Sequence, residues 1–259
     1  MKKDQFVALC ADSLQQANQL IPVVKPLAES LRKGIILFTT SSDGDSWVHQ
    51  TGLPFAVLKS DWATVVESMP TAFNVVLAVA QVNPDSPRST LSHPRQFLKS
   101  FREAKIAYLA VPAIVSELQF LTVALTLNHQ RESKEKLIWA SYLERFCRSN
   151  VVVYHHPYSD PAFRLRLNNN IRYLEKTFAS LGLSFELQEL PQGSQFGDPD
   201  LKAIRQPEID LFISLVADAR ERDLLDFFSP PPPLKLIRKA PQTPILFLNQ
   251  RDDLYIMCD

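Results

Sequence analysis

The chain alternates short apolar runs with longer amphipathic stretches. Residues 6–11, 34–39, 55–58, 75–82 and 106–111 form a first series of apolar runs. Residues 121–127, 151–154, 185–190, 211–216 and 245–248 form a second. Most are unbroken and rich in Val, Ile and Leu rather than alternating. That pattern predicts strands covered on both faces, as in parallel sheets. Helical patterns lie between them. The clearest spans residues 160–181, where Phe163, Leu167, Ile171, Leu174, Phe178 and Leu181 follow spacings of 4, 4, 3, 4 and 3, one apolar helix face. Asp160-Pro161 predicts its start and Gly182 its stop. Strand–helix–strand alternation predicts an α/β fold with right-handed crossovers.

The two series repeat each other. After a shift of 116 residues, Val7-Ala8-Leu9 falls on Val123-Ala124-Leu125, Leu27 on Leu143, and Ile35-Ile36-Leu37-Phe38 on Val151-Val152-Val153-Tyr154. One strand, one helix and the next strand keep a common register, which predicts a duplication. Its boundary falls near residues 112–117, giving domains of residues 1–114 and 115–259. The first copy reads as degenerate. Only about a dozen residues, including Gly44, Trp47 and Gly52, separate its second and third strands, so a long crossover helix is expected to be lost there. Its opening helix carries Pro22 and Pro26, which predict a kink or a late start.

Composition narrows the chemistry. Lys+Arg and Asp+Glu are both 28, a formal net charge of zero. That gives no electrostatic reason to bind nucleic acid or an anionic membrane. Only six of 259 residues are glycine, and nineteen are proline. Neither a P-loop nor a G-x-G-x-x-G fingerprint is present, since both need clustered glycines. Cys10, Cys147 and Cys258 make neither a disulfide framework nor a metal knuckle. Cys10 and Cys147 read as core thiols in a reducing compartment, and Cys258 as exposed. No apolar run is long enough for a signal-peptide core or a membrane span, so a cytoplasmic protein is expected.

The order of elements resembles the universal stress protein family in its tandem two-domain form. The second half carries the likeness best, with its helix at residues 133–147 containing Trp139-Ala140-Ser141. Its ending, Leu236-Ile237-Arg238-Lys239-Ala240-Pro241-Gln242-Thr243-Pro244-Ile245-Leu246-Phe247-Leu248, looks like the family's closing helix, turn and last strand. The resemblance implies two open doubly wound domains of the adenine nucleotide alpha hydrolase-like type. Each would hold a mainly five-stranded parallel sheet of order 3-2-1-4-5. It also implies that the fifth strands of the halves meet in an intrachain pseudo-dimer, with a homodimer as an option.

Nucleotide-binding members carry an acidic residue after the first strand, and Asp12 matches it. Asn128 holds the equivalent place in the second half. These members also carry G-x2-G-x9-G-[ST] after the fourth strand. Here the frames read Ala80-x2-Asn83-x9-His93-Pro94 and Ala217-x2-Arg220-x9-Pro230-Pro231, with no glycine at any glycine position. Side chains obstruct the approach to phosphate, and proline removes N–H donors. ATP is therefore not expected to bind through the usual phosphate loop. The proline run at 230–233 is expected to be stiff and extended.

Other constellations are sparser. His129, His155, His156 and Asp218 fall at one predicted strand edge and could ligate zinc. Ser13 with Gln16 makes a capping box. Arg164, Arg166 and Arg172 with residues 168–170 form a basic, amide-rich helix face, expected to be solvated. No nucleophile has a partner at a recognisable spacing. These features together predict a non-catalytic stress-response protein, more an interaction module than an enzyme, with no expected cofactor. The alternatives are an ATP- or AMP-binding sensor or slow ATPase with a rebuilt pocket at Asp12 or Asn128, and a zinc site at the second-domain strand ends.

Overall fold

The computed structural model describes residues 4–41, 44–58, 60–118, 120–190, 198–206, 208–216 and 230–250. The chain divides into two compact units, Met1–Leu118 and Gln119–Asp259. The first contains β1 (Phe6–Ala11), α1 (Leu14–Ser30), β2 (Gly34–Thr39), α2 (Gly44–Thr51), β3 (Phe55–Val57), α3 (Trp62–Ala72), β4 (Val75–Val82), α4 (Pro94–Ser100) and β5 (Ala107–Pro112). The second contains β6 (Thr122–Leu127), a 3₁₀ turn (Arg131–Lys134) running into α5 (Glu135–Cys147), β7 (Asn150–His155), α6 (Pro161–Leu181), β8 (Glu186–Glu189), α7 (Pro199–Ala203), β9 (Leu211–Val216), α8 (Pro232–Lys239) and β10 (Ile245–Asn249).

Within the first unit the strands lie in the order β3-β2-β1-β4-β5, and within the second β8-β7-β6-β9-β10. Each is 3-2-1-4-5 in its own numbering, and the pairs are parallel. The central strands are sealed: Val7, Ala8 and Leu9, like Val123, Ala124 and Leu125, have no exposed surface. Burying a side chain of this kind contributes about 1.5–3 kcal/mol for Val or Leu. The edge strands depart from the expectation of two-sided burial, and all four residues of β8 are exposed.

The 116-residue register recurs in three dimensions. β1 and β6 have equivalent bounds, and β2 and β7 do too. Val7 pairs with Ile35, and Val123 with Val151. Arg32 and Arg148, each just past the helix that joins these strands, both adopt left-handed backbone, at φ 56° and 58°. Non-glycine residues enter that region rarely.

Three local expectations are corrected. The crossover between β2 and β3 is not lost but shortened to the eight residues of α2. Its single buried tryptophan, Trp47, anchors it. Helix α1 neither kinks into two elements nor starts late; it runs from Leu14 through Pro22 and Pro26 to Ser30. Both prolines lie on the exposed face, where carbonyls left without an N–H partner can bond to water. Leu20, Val23, Val24 and Leu27 hold the opposite face in the core. The proline run is only half extended. Pro231 takes φ −53° and ψ 146°, while Pro232 and Pro233 form the first turn of α8, where a missing N–H costs nothing.

The long helix follows its sequence signals. Asp160 caps α6 by accepting from the N–H groups of Ala162 and Phe163, and Gly182 ends it at φ 67°. Leu167, Leu174 and Phe178 are buried along its face, whereas Phe163 and Leu181 at the two ends are partly exposed.

Candidate functional sites at the strand ends

In open α/β sheets the strand order reverses between the first and fourth strands, and ligands bind beyond the carboxyl ends there. In the first unit, side chains of the unit itself bond to one another at this place. Asp12 follows β1. Its Oδ1 accepts from the Trp62 indole Nε1–H at 3.1 Å, and its Oδ2 accepts from the Leu91 N–H at 2.7 Å. Its main-chain carbonyl accepts from the Thr40 hydroxyl. Next to it, Gln16 Nε2 donates to Ser92 Oγ at 2.8 Å.

Leu91 and Ser92 come from the loop after β4, where a phosphate loop would lie. Leu91, Ser92 and His93 are all buried. The loop is folded on itself: Asn83 N–H donates to Ser92 O, and Asn83 Oδ1 accepts from Asp85 N–H. His93 caps α4 with its own ring, Nδ1 accepting from the Arg95 N–H, and Pro94 follows at the first helical position. The capping box at Ser13 forms with a one-residue offset. Ser13 Oγ accepts from Gln16 N–H, while Gln16 Oε1 accepts from Asp12 N–H. Cys10 of β1, two residues before Asp12, is fully buried, and burial, followed by the charge of Asp12, pushes its thiol well above the ordinary range.

The second unit keeps a cavity of about 150 Å³ at the equivalent place. Thr126 and Asn128 from the end of β6, Lys136 from α5, His156 and Tyr158 from beyond β7, Asp198 and Asp200 from the start of α7, and Gln250 after β10 line it. Asn128 does not present a free side chain. Its Oδ1 accepts from Gln130 N–H and its Nδ2 donates to Gln130 Oε1. Asn170 of α6 donates to the carbonyls of both Asn128 and Gln130 at 2.8 Å. Asn170 is itself buried, so the amide-rich face of α6 is solvated only in part.

A buried polar chain runs through the cavity wall. Lys136 Nζ donates to Thr126 Oγ1 at 3.0 Å, Thr126 donates to Asp200 Oδ1, and Ser214 Oγ donates to Asp200 Oδ2 at 2.8 Å. Asp200 N–H donates to Asp198 Oδ1. Burial pushes the Lys136 amine below the ordinary lysine range, with Asp200 and then Asp198 pulling part of the way back. Burial, followed by the charge of Asp200, lifts the Asp198 carboxyl above the usual carboxylate range.

The histidines are dispersed in role. His129 stacks on Phe163 at 4.3 Å between ring centroids and meets Tyr158 edge-on at 4.9 Å. His155 ends β7, and His156 faces the cavity. The Nδ1 atoms of His129 and His155 are buried without a hydrogen-bond partner. Burial pushes both rings below the usual histidine range. Among the described residues, no three His, Cys, Asp or Glu side chains gather as a metal site. The expected zinc set of His129, His155 and His156 is therefore not assembled, and Asp218 lies outside the described residues.

Sequence reasoning missed the Lys136–Thr126–Asp200 chain, although its signal was present. Lys136, Ala140 and Leu143 recur at spacings of 4 and 3 on the buried stripe of α5. Thr126 and Ser214 interrupt otherwise apolar strands.

No protein-family profile matches the sequence, and no characterised protein matches it by sequence. Solved structures do match. A universal stress protein from Archaeoglobus fulgidus superposes with a TM-score of 0.63 over 96% of this chain and 97% of its own, at 10% identity. The fold is that of the universal stress proteins. A putative universal stress protein from Pseudomonas aeruginosa matches with a TM-score of 0.56 over 97% of this chain and 95% of its own, at 13% identity. The cytoplasmic domain of a prokaryotic cation chloride cotransporter matches at 0.60 over 94% and 95%, at 12% identity. Among the described residues of this universal stress protein fold, no helix is long and apolar enough to cross a membrane.

Proposed function

We propose that the chain is a cytoplasmic stress-response protein of the universal stress type. In this reading it works through protein contacts rather than catalysis and does not hold ATP by the usual phosphate loop. One observation carries the reading: both carboxylate oxygens of Asp12 are engaged by Trp62 and Leu91 of the same unit. The loop that would wrap phosphate supplies one of those donors. The second unit's cavity of about 150 Å³ is well below the roughly 300–1,000 Å³ of ordinary small-molecule sites.

A partly exposed aromatic stripe supports contact with a protein partner. On α5, Tyr142 lies 6.1 Å from Trp139 and 5.9 Å from Phe146 between ring centroids, and Ile138 and Tyr142 are half exposed. The cotransporter domain with this fold fits a role for it as a module acting beside other protein parts. Titration of the purified protein with ATP and magnesium should give no heat in a calorimeter, and micromolar binding would sink the reading. Affinity capture from stressed cells should retain a partner that a Tyr142→Glu variant loses.

A further inference from the structure

Lys136 is 3% exposed, yet it borders the cavity of the second unit. Among the described residues its amine has one hydrogen bond, to Thr126 Oγ1. The hydroxyl of Thr126 gives its own proton to Asp200, so a lone pair of that oxygen receives the amine. Among the described residues no carboxylate forms an ion pair with Lys136. An ammonium group buried this way would leave N–H donors without acceptors and cost several kcal/mol. A neutral amine needs only the bond it has and keeps a lone pair for chemistry. Burial pushes toward that neutral form, while Asp200 and then Asp198 pull back part of the way. A neutral lysine amine beside a cavity has the lone pair that a nucleophile needs.

We propose that Lys136 captures a small neutral carbonyl compound as a reversible imine within this cavity. The neutral Nζ attacks the carbonyl carbon, forming the C–N bond as the carbonyl electron pair moves to oxygen. One amine proton passes to that oxygen, giving a carbinolamine. The C–O bond then breaks, and the hydroxyl leaves as water with a proton from Asp198. Burial and Asp200 favour the protonated form of that carboxyl. The resulting iminium returns a proton to Asp198. Amine plus carbonyl becomes imine plus water, with nothing oxidised or reduced.

Size and charge set the ligand class. A cavity of about 150 Å³ admits a molecule of a few heavy atoms. The charge of Asp200 in the wall disfavours an anion such as a keto acid. Covalent capture of this kind is a binding event, so it goes beyond the proposed stress-response role and does not depend on it.

The test treats the full chain with propanal and cyanoborohydride, then maps the modified lysines by peptide mass spectrometry. Lys136 is expected to gain one propyl group roughly tenfold or more faster than any exposed lysine, because the cavity holds the reactants together. Glyoxylate is expected to label it more slowly than propanal. Equal or slower labelling of Lys136 than of surface lysines would overturn the proposal. Faster labelling by glyoxylate than by propanal would overturn the assigned charge class. Lys136→Met, which fills a similar volume, should lose the label at this site alone. If that variant does not fold, the map of the unaltered protein decides the matter by itself.

Discussion

The indole of Trp62 donates to Asp12 across fifty residues of sequence, at 3.1 Å. Asp12 thereby ties the start of α3 to the end of β1, and through Leu91 it also ties down the loop after β4. Trp62→Phe removes one donor and leaves the Leu91 bond in place, and should cost about 1–2 kcal/mol in urea unfolding. Asp12→Ala strands both the indole and the Leu91 N–H, and should cost more, about 2–4 kcal/mol. Equal losses in the two variants would mean that the carboxylate does not join the two segments.

Asn170 offers a second test. Its amide spans two carbonyls of the loop that follows β6. Asn170→Ala should destabilise by roughly 2 kcal/mol, about 1 for each hydrogen bond. Amide exchange should quicken at residues 128–130 before the rest of the unit. Asn170→Asp cannot donate these bonds and should be no better than the alanine variant. A stable aspartate variant with unchanged exchange would discount the clamp.

The prolines of α1 lie on its solvent face and make no contribution to the core. Pro22→Ala and Pro26→Ala should each restore a helical N–H. The gain is about 3 kcal/mol at most, reduced by roughly 0.4–1 kcal/mol for the freer unfolded chain. Thermal melts should therefore rise in both variants. A fall would show that a proline-imposed bend is needed to fit the helix to β1 and β2.

Acid should loosen the second unit first. His129 and His155 are held below the ordinary histidine range, mainly by burial. The unfolded chain binds protons on them more readily than the folded one. Their contribution to stability is complete above about pH 6.5 and is lost as the pH falls through the lower folded values. Urea midpoints measured from pH 7.5 down to 5 should decline. His155→Gln, which places an uncharged amide there, should flatten the decline. A profile unchanged in that variant would remove His155 from the account.

Legibility followed physical range. The strands were readable because each is a short apolar run whose burial is written in its own residues, and β4 and β9 fall where the pattern places them. The limits of α6 were readable because Asp160 and Gly182 act within one turn of themselves. The path of α1 was not, because intrinsic cost argued against Pro22 and Pro26 while packing of Leu20, Val23 and Leu27 decided the outcome. Asp12 and Asn128 follow β1 and β6, but the groups that bond to them were not readable, since Trp62, Leu91 and Asn170 are distant in sequence. The spacing of Lys136 on the buried stripe of α5 was readable, but its polar chain depends on Asp200 and Ser214 arriving from later elements.

The groups that engage Asp12 belong to the same polypeptide, and that changes how the first unit responds to its surroundings. An external molecule stabilises a protein in proportion to the logarithm of its concentration. A tethered group has a fixed effective concentration. Dialysis, starvation or hydrolysis cannot remove it. In the proposed reading the crevice of the first unit does not follow small-molecule supply, and the cavity around Lys136 is the place proposed to register a chemical input.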